Sequence, residues 1–153
     1  MLYGTPADAS TYLSDRGFPV PEGLDALLLR ASEALDAAYT FRGRRTDSAQ
    51  TRAWPRSGVT TGEGDAVDPD TVPTAVEHAT YALARLIGLN SEALSAAVSA
   101  PVASVKAGSV AVQFSEAVAV SARSLSRDPQ VFDLLRGYIA VTLSQANIRL
   151  RKS

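Results

Sequence analysis

Apolar positions in this chain fall mostly at helical spacing, in blocks separated by proline, glycine and short polar runs. Thr5-Pro6 reads as a cap followed by proline at the first helical position, opening a helix to about Arg16 that Gly17 stops. Tyr12 and Leu13 are its apolar contacts. Beyond the loop from Phe18 to Gly23, the residues Leu24, Leu27, Leu28, Ala31, Leu35, Ala38 and Tyr39 share one face of a longer helix, about Leu24 to Tyr39. Val72, Val76, Ala79, Leu83, Leu86 and Ile87 predict a helix from about Thr71 to Ile87, capped by Asp70 or Thr71, with Pro73 in its first turn and Gly88 at its end. A brief helix follows from Asn90 or Ser91 to about Val98. The period then drops to two: Val102, Ser104 and Lys106, with Val110, Val112 and Phe114, flank Ala107-Gly108-Ser109 as a β-hairpin would. Ser115 to Ser126 is small and polar, a linker or a weak helix. Asp128-Pro129 opens a last helix that runs towards Arg149, with Val131, Leu134, Leu135, Tyr138 and Ile139 on its apolar face. The predicted fold is mainly α, a small helical bundle with a β-hairpin near 102–114 and a C-terminal helical extension.

The stretch from Phe41 to Val59 breaks this helical pattern and organises the rest. It carries the only tryptophan and five arginines, Arg42, Arg44, Arg45, Arg52 and Arg56, against one acid, Asp47. Gly43 can take the left-handed conformation that ends the preceding helix. Thr46 can cap a short helix through Arg52, and Pro55 prevents it from continuing. Trp54 beside Pro55 is expected to be a buried structural anchor, because its ring is the largest apolar surface available.

Composition narrows the function classes. The chain has 153 residues and a net charge of -1, so it is most simply one domain and has no global electrostatic footprint for DNA or membrane. Charge is uneven locally: residues 1–40 carry six acids and two bases, opposite in sign to the arginine-rich segment. That polarity suits pairing of the arginines with acids of the same or a neighbouring subunit, with Arg44 and Arg45 as the first candidates. Without cysteine the chain forms no disulfide and does no thiol chemistry, which fits a reducing compartment. Met1–Ala9 lacks the basic start and apolar run of a signal peptide, and no apolar stretch is long enough to span a bilayer, so no membrane partner is expected.

The candidate chemistry is thin. Glu63, Asp65, Asp68 and Asp70 lie in one loop, but without the alternate ligands, glycine and distal glutamate of an EF-hand, so no metal is expected. His78, the only histidine, has no nucleophile or acid at helical spacing and is expected to be structural or exposed. Gly58, Gly62 and Gly64 do not open a helix after a strand, as a phosphate loop would. An enzyme is not expected, nor a cofactor.

Several runs together carry a family resemblance: Phe41-Arg-Gly-Arg-Arg-Thr46, Ala53-Trp-Pro-Arg-Ser-Gly-Val59, Asp68-Pro-Asp-Thr-Val-Pro73 and Ala79-Thr-Tyr-Ala-Leu-Ala84, with Tyr3-Gly-Thr-Pro-Ala-Asp-Ala9 ahead of them. In this order they resemble the head–tail connector, or adaptor, family of tailed bacteriophages. Many members of that family carry the label DnaT-like single-stranded-DNA-binding protein. The resemblance covers roughly residues 3–114, including the 102–114 hairpin. It implies a structural virion protein of the phage neck, assembled in the host cytoplasm into a dodecameric ring. Such a ring joins the portal protein to the next neck or tail component around the DNA channel. The implied partners are further copies of the chain, the portal, that tail-side protein and, non-specifically, channel DNA. Residues 1–114 would then be the adaptor domain. Residues 115–153, beyond the point where many relatives stop, would be a linker plus a helix that docks on the portal through Val131, Leu134, Leu135, Tyr138 and Ile139; the alternative is that this helix folds back on its own subunit's core. Arg42, Arg44, Arg45, Arg52 and Arg56 would face a neighbouring subunit or the DNA. The alternative reading is the single-stranded-DNA-binding protein of the label. Strand binding usually joins a basic groove to stacking aromatics, and here the nearby aromatics, Phe41 and Trp54, have a simpler role in the core.

Overall fold

Helices dominate because the apolar spacing is helical, and the structure, a computed structural model, describes residues 1–99 and 125–140. Four helices are described: α1 (Pro6–Asp15), α2 (Leu24–Ala38), α3 (Thr74–Ser99) and α4 (Pro129–Leu135). One two-stranded antiparallel sheet joins β1 (Arg44–Arg45) to β2 (Arg56–Ser57). The protein is mainly α, with α3 at the centre and α1, α2 and α4 packed on it. The expected hairpin at 102–114 and the linker at 115–124 lie outside the described residues.

Local chemistry explains the first two helices. The Thr5 hydroxyl oxygen accepts from the Asp8 N–H at 3.2 Å, and Pro6 occupies the first turn. Gly17, at φ +71°, lets the chain turn out of α1. In α2 the buried residues are Leu24, Leu27, Leu28, Ala31, Ser32 and Leu35; all but Ser32 belong to the stripe that the spacing predicts, while Ala38 and Tyr39 at its end are only half-buried. The helix ends at Ala38 with Tyr39 extended, so Gly43 is not its stop. Gly43 takes φ +72° within the next segment, where a side chain would collide with the Ser57 carbonyl.

The third helix differs from expectation at both ends. The Pro73 carbonyl, not Asp70 or Thr71, sits at its start, accepting the N–H groups of Val76 and Glu77 at 2.9 and 3.2 Å. Gly88 does not end it, and the expected separate helix after Ser91 is part of the same rod. Gly88 serves packing instead: a Cβ there would lie 3.1 Å from Pro21 and 3.2 Å from Leu27. Removing that methyl lets the α1–α2 loop and α2 approach the rod closely, which outweighs the intrinsic helix penalty of glycine.

The C-terminal helix is shorter than predicted. It starts as expected, with Asp128 Oδ1 accepting from the Gln130 N–H at 2.9 Å, but ends at Leu135. A turn then brings Ile139 into an antiparallel bridge with Phe41. Arg42 N–H donates to the Tyr138 carbonyl at 2.8 Å, and Ala140 N–H to the Thr40 carbonyl at 2.7 Å. Val131, Leu135 and Ile139 are buried in the same core as Leu28, Leu35, Trp54, Val76 and Leu83. The apolar face read as a docking surface is therefore mostly covered within its own subunit. Leu134 and Tyr138 are half-buried, and Phe132, which the expectation omitted, is the exposed large apolar side chain of this helix.

Candidate nucleic-acid interface

The arginine-rich segment is built around Trp54. No short helix forms between Thr46 and Arg52; the residues make turns joining β1 to β2. Polar side chains there outcompete helical hydrogen bonding. Asp47 Oδ1 accepts from the Ala49 N–H at 2.8 Å, and Gln50 Oε1 from the Asp47 N–H at 3.1 Å. Gln50 Nε2 donates to the carbonyls of Arg52 and Pro55. Thr46 does not cap: its hydroxyl donates to the Pro69 carbonyl at 2.6 Å.

Trp54 has no exposed surface. Its ring meets Phe41 and Tyr138 edge-on at 5.6 and 5.9 Å, and the following Pro55 peptide is cis. The Trp54 backbone N–H donates to the Tyr3 hydroxyl at 3.1 Å, and that hydroxyl donates to Asp36 Oδ1 at 2.5 Å. Asp36 also accepts from the Ala53 N–H at 3.3 Å and lies 3.7 Å from the Arg52 guanidinium. Burial raises the Asp36 carboxyl above its ordinary value, while Tyr3, Ala53 and Arg52 act against that shift. Burial raises the Tyr3 phenol too, with Asp36 adding to the effect. The sequence reading missed Tyr3, Asp36 and Gln50. The available signal was Glu33 and Asp36, two acids three residues apart on one face of α2.

The five arginines separate into three roles. Arg52 pairs with Glu33 at 3.3 Å and with Asp36, and donates to the Met1 carbonyl, so it links the acidic N-terminal region to this segment within one subunit. Arg56 and Arg42 act as braces. Arg56 donates to the carbonyls of Phe41, Arg42, Gly43 and Ala53 at 2.7–3.3 Å. Arg42 Nε donates to the Ile139 carbonyl at 3.0 Å. Both guanidiniums hold backbone carbonyls. Arg44 and Arg45 are exposed on β1, and neither has an ion pair among the described residues; Arg45 makes one hydrogen bond, to the Gln50 carbonyl at 3.1 Å. Neither of these two, the first candidates for pairing with acids, meets a carboxylate among the described residues; Arg42 and Arg56 meet only carbonyls there, and Arg52 alone forms ion pairs. What the segment presents outward is cationic and carries no stacking ring, since Phe41 and Trp54 are both buried.

The other candidates fall elsewhere. Asp65 and Asp68 shape their loop: the Thr61 N–H donates to the Asp65 carbonyl, and the Asp70 N–H to Asp68 Oδ1 at 2.9 Å. Among the described residues no group of three or more histidines and acids is placed to hold a metal. His78 lies 4.5 Å from the Tyr12 ring, in a shallow groove between α1 and α3. Burial lowers its pKa, with Arg16 adding to the effect. No described helix is long and apolar enough to cross a membrane.

A model of the family described as "Putative DnaT-like ssDNA binding protein" matches residues 3–153. The chain belongs to this family. The match to the DnaT-like family runs through residues 115–153, the part read from sequence as an addition. No curated protein and no solved structure matches the chain.

Proposed function

We propose that this DnaT-like protein binds single-stranded DNA without regard to sequence, holding the phosphate backbone against the β1–β2 hairpin. The observation that carries this reading is the pair Arg44 and Arg45: adjacent, exposed and free of carboxylates among the described residues, on a hairpin braced by Arg42 and Arg56. The family description supports it. With Trp54 and Phe41 buried, this segment contributes electrostatic attraction rather than base stacking, so salt sensitivity should be pronounced and base preference weak. No catalytic residue or cofactor enters this reading.

The test is fluorescence anisotropy of labelled oligo(dT), with duplex DNA as the comparison, across a salt series. Each arginine removed from the strand should lower the salt slope by about 0.7. Full binding by an Arg44→Gln/Arg45→Gln variant, with an unchanged slope, sinks the proposal.

The sequence supports a second reading, a structural ring of the phage neck between portal and tail-side protein, resident in the virion. The ordered runs around Trp54-Pro55-Arg56-Ser57-Gly58 and Asp68–Pro73 favour it. In that setting the same hairpin would contact channel DNA or a neighbouring copy. Particle size of the purified protein, alone and mixed with a portal ring, decides it: a species that stays monomeric in both conditions removes this reading.

A further inference from the structure

The hairpin holds two arginines where a sheet ordinarily avoids like charges. Arg45 pairs directly with Arg56 across β1 and β2, and Arg44 with Ser57. The Thr46 N–H donates to the Pro55 carbonyl at 3.3 Å. That bond makes the neighbouring Arg45–Arg56 pair a non-hydrogen-bonded one, the position where cross-strand side chains come closest. Like charges directly opposite each other are destabilising. Consecutive strand residues face opposite sides, so Arg44 lies on the other face.

The two guanidiniums are held differently. Arg56 is clamped by four backbone carbonyls and cannot swing away to relieve the repulsion. Arg45 is exposed and uses one donor group, on the Gln50 carbonyl, leaving the rest of its fork for a ligand. Arg45 depresses the pKa of Arg56, second to burial, so the two charges feel each other. An anion between them would turn that repulsion into attraction on both sides. The Gln50 contact holds Arg45 in place at little additional entropic cost.

We infer that Arg45 and Arg56 form a discrete seat for one tetrahedral phosphate oxyanion, with Arg45 as the hydrogen-bonding fork and Arg56 as a fixed positive charge behind it. The seat rests on the DNA-binding reading for its ligand, one phosphodiester of the single strand, but its chemistry also admits free phosphate. It makes the two neighbouring arginines unequal: Arg45 grips a phosphate, whereas Arg44 only adds to the field.

Two measurements on the full chain test this. In the first, thermal melting is followed in sodium phosphate against sodium chloride of equal ionic strength. Phosphate should raise the melting temperature of the wild type and of Arg44→Gln by about 3 °C, and that of Arg45→Gln not at all. In the second, oligo(dT) affinity should fall about tenfold in Arg45→Gln and only about threefold in Arg44→Gln. A phosphate shift that survives in Arg45→Gln, or is absent from the wild type, overturns the seat. If oligo(dT) binds, both variants weaken it equally and phosphate has no effect, the seat falls and the DNA-binding reading stands. If phosphate stabilises through Arg45 and oligo(dT) does not bind, the seat stands for free phosphate and the DNA-binding reading falls.

Discussion

At the scale of single residues, Trp54 and Asp36 determine whether the hairpin has a platform. Trp54 is fully buried between Phe41 and Tyr138, and its indole N–H has no hydrogen-bond partner among the described residues. Its contribution is therefore apolar packing. Trp54→Ala should cost about 3–5 kcal/mol, read as a lower denaturant midpoint. Asp36 contributes a pH dependence. Its carboxyl is raised by burial, so the folded state holds the proton at pH values where the unfolded chain has released it. The associated stability is present below the ordinary aspartate value of 3.8 and is lost as pH rises through the raised value. Subtracting the Asp36→Asn melting profile from that of the wild type should expose a decline across this window. A flat difference would show that Arg52 and Tyr3 fully offset the burial.

Among the elements, α4 changed most between sequence and structure. Its stripe of Val131, Leu134, Leu135, Tyr138 and Ile139 was legible from spacing, but a stripe says only that it must be covered, not by what. Here the subunit itself covers most of it: Val131 and Leu135 are fully buried, and Ile139 bridges Phe41. Val131→Ala and Leu135→Ala should thus destabilise the isolated protein. The leucine truncation should cost about 2–5 kcal/mol and the smaller valine less, measured by chemical denaturation. If both variants melt like the wild type but lose a binding partner, the docking expectation returns. Gly88 provides a second check on the elements. Gly88→Ala would help an isolated helix by about 1 kcal/mol. In this protein it should be neutral or destabilising, because Pro21 and Leu27 occupy the space.

For the whole molecule, the relevant quantity is where charge is left uncompensated. The net charge of -1 gives no hint of a nucleic-acid surface. Folding pairs Arg52 with Glu33 and Asp36 and leaves Arg44 and Arg45 outside. An Arg44→Gln/Arg45→Gln protein should keep the wild-type melting temperature to within about 2 °C, since exposed charges contribute little to stability. It should lose most oligo(dT) affinity at low salt. Such a split between stability and binding separates a functional patch from a structural one. Equal loss of both would place these arginines in the structural framework.

The sequence alone determined the helical class, the start and end of α1, the buried face of α2 and the cap of α4. Each depends on contacts within a few residues: a threonine before a proline, a glycine after the last apolar position, leucines at three and four. It also singled out the arginine segment and its tryptophan, through composition. Tertiary structure alone decided that Gly88 lies inside a helix, that the Thr46 hydroxyl serves the Pro69 carbonyl and not a helix cap, and that α4 belongs to the core. Those outcomes depend on partners far along the chain: Pro21 and Leu27 for Gly88, Pro69 for Thr46, Phe41 for Ile139. The sorting of five arginines into a salt link, two braces and two exposed cations without a carboxylate among the described residues is of the same kind. Their side chains are alike, and only the placement of carbonyls and carboxylates around each one distinguishes them.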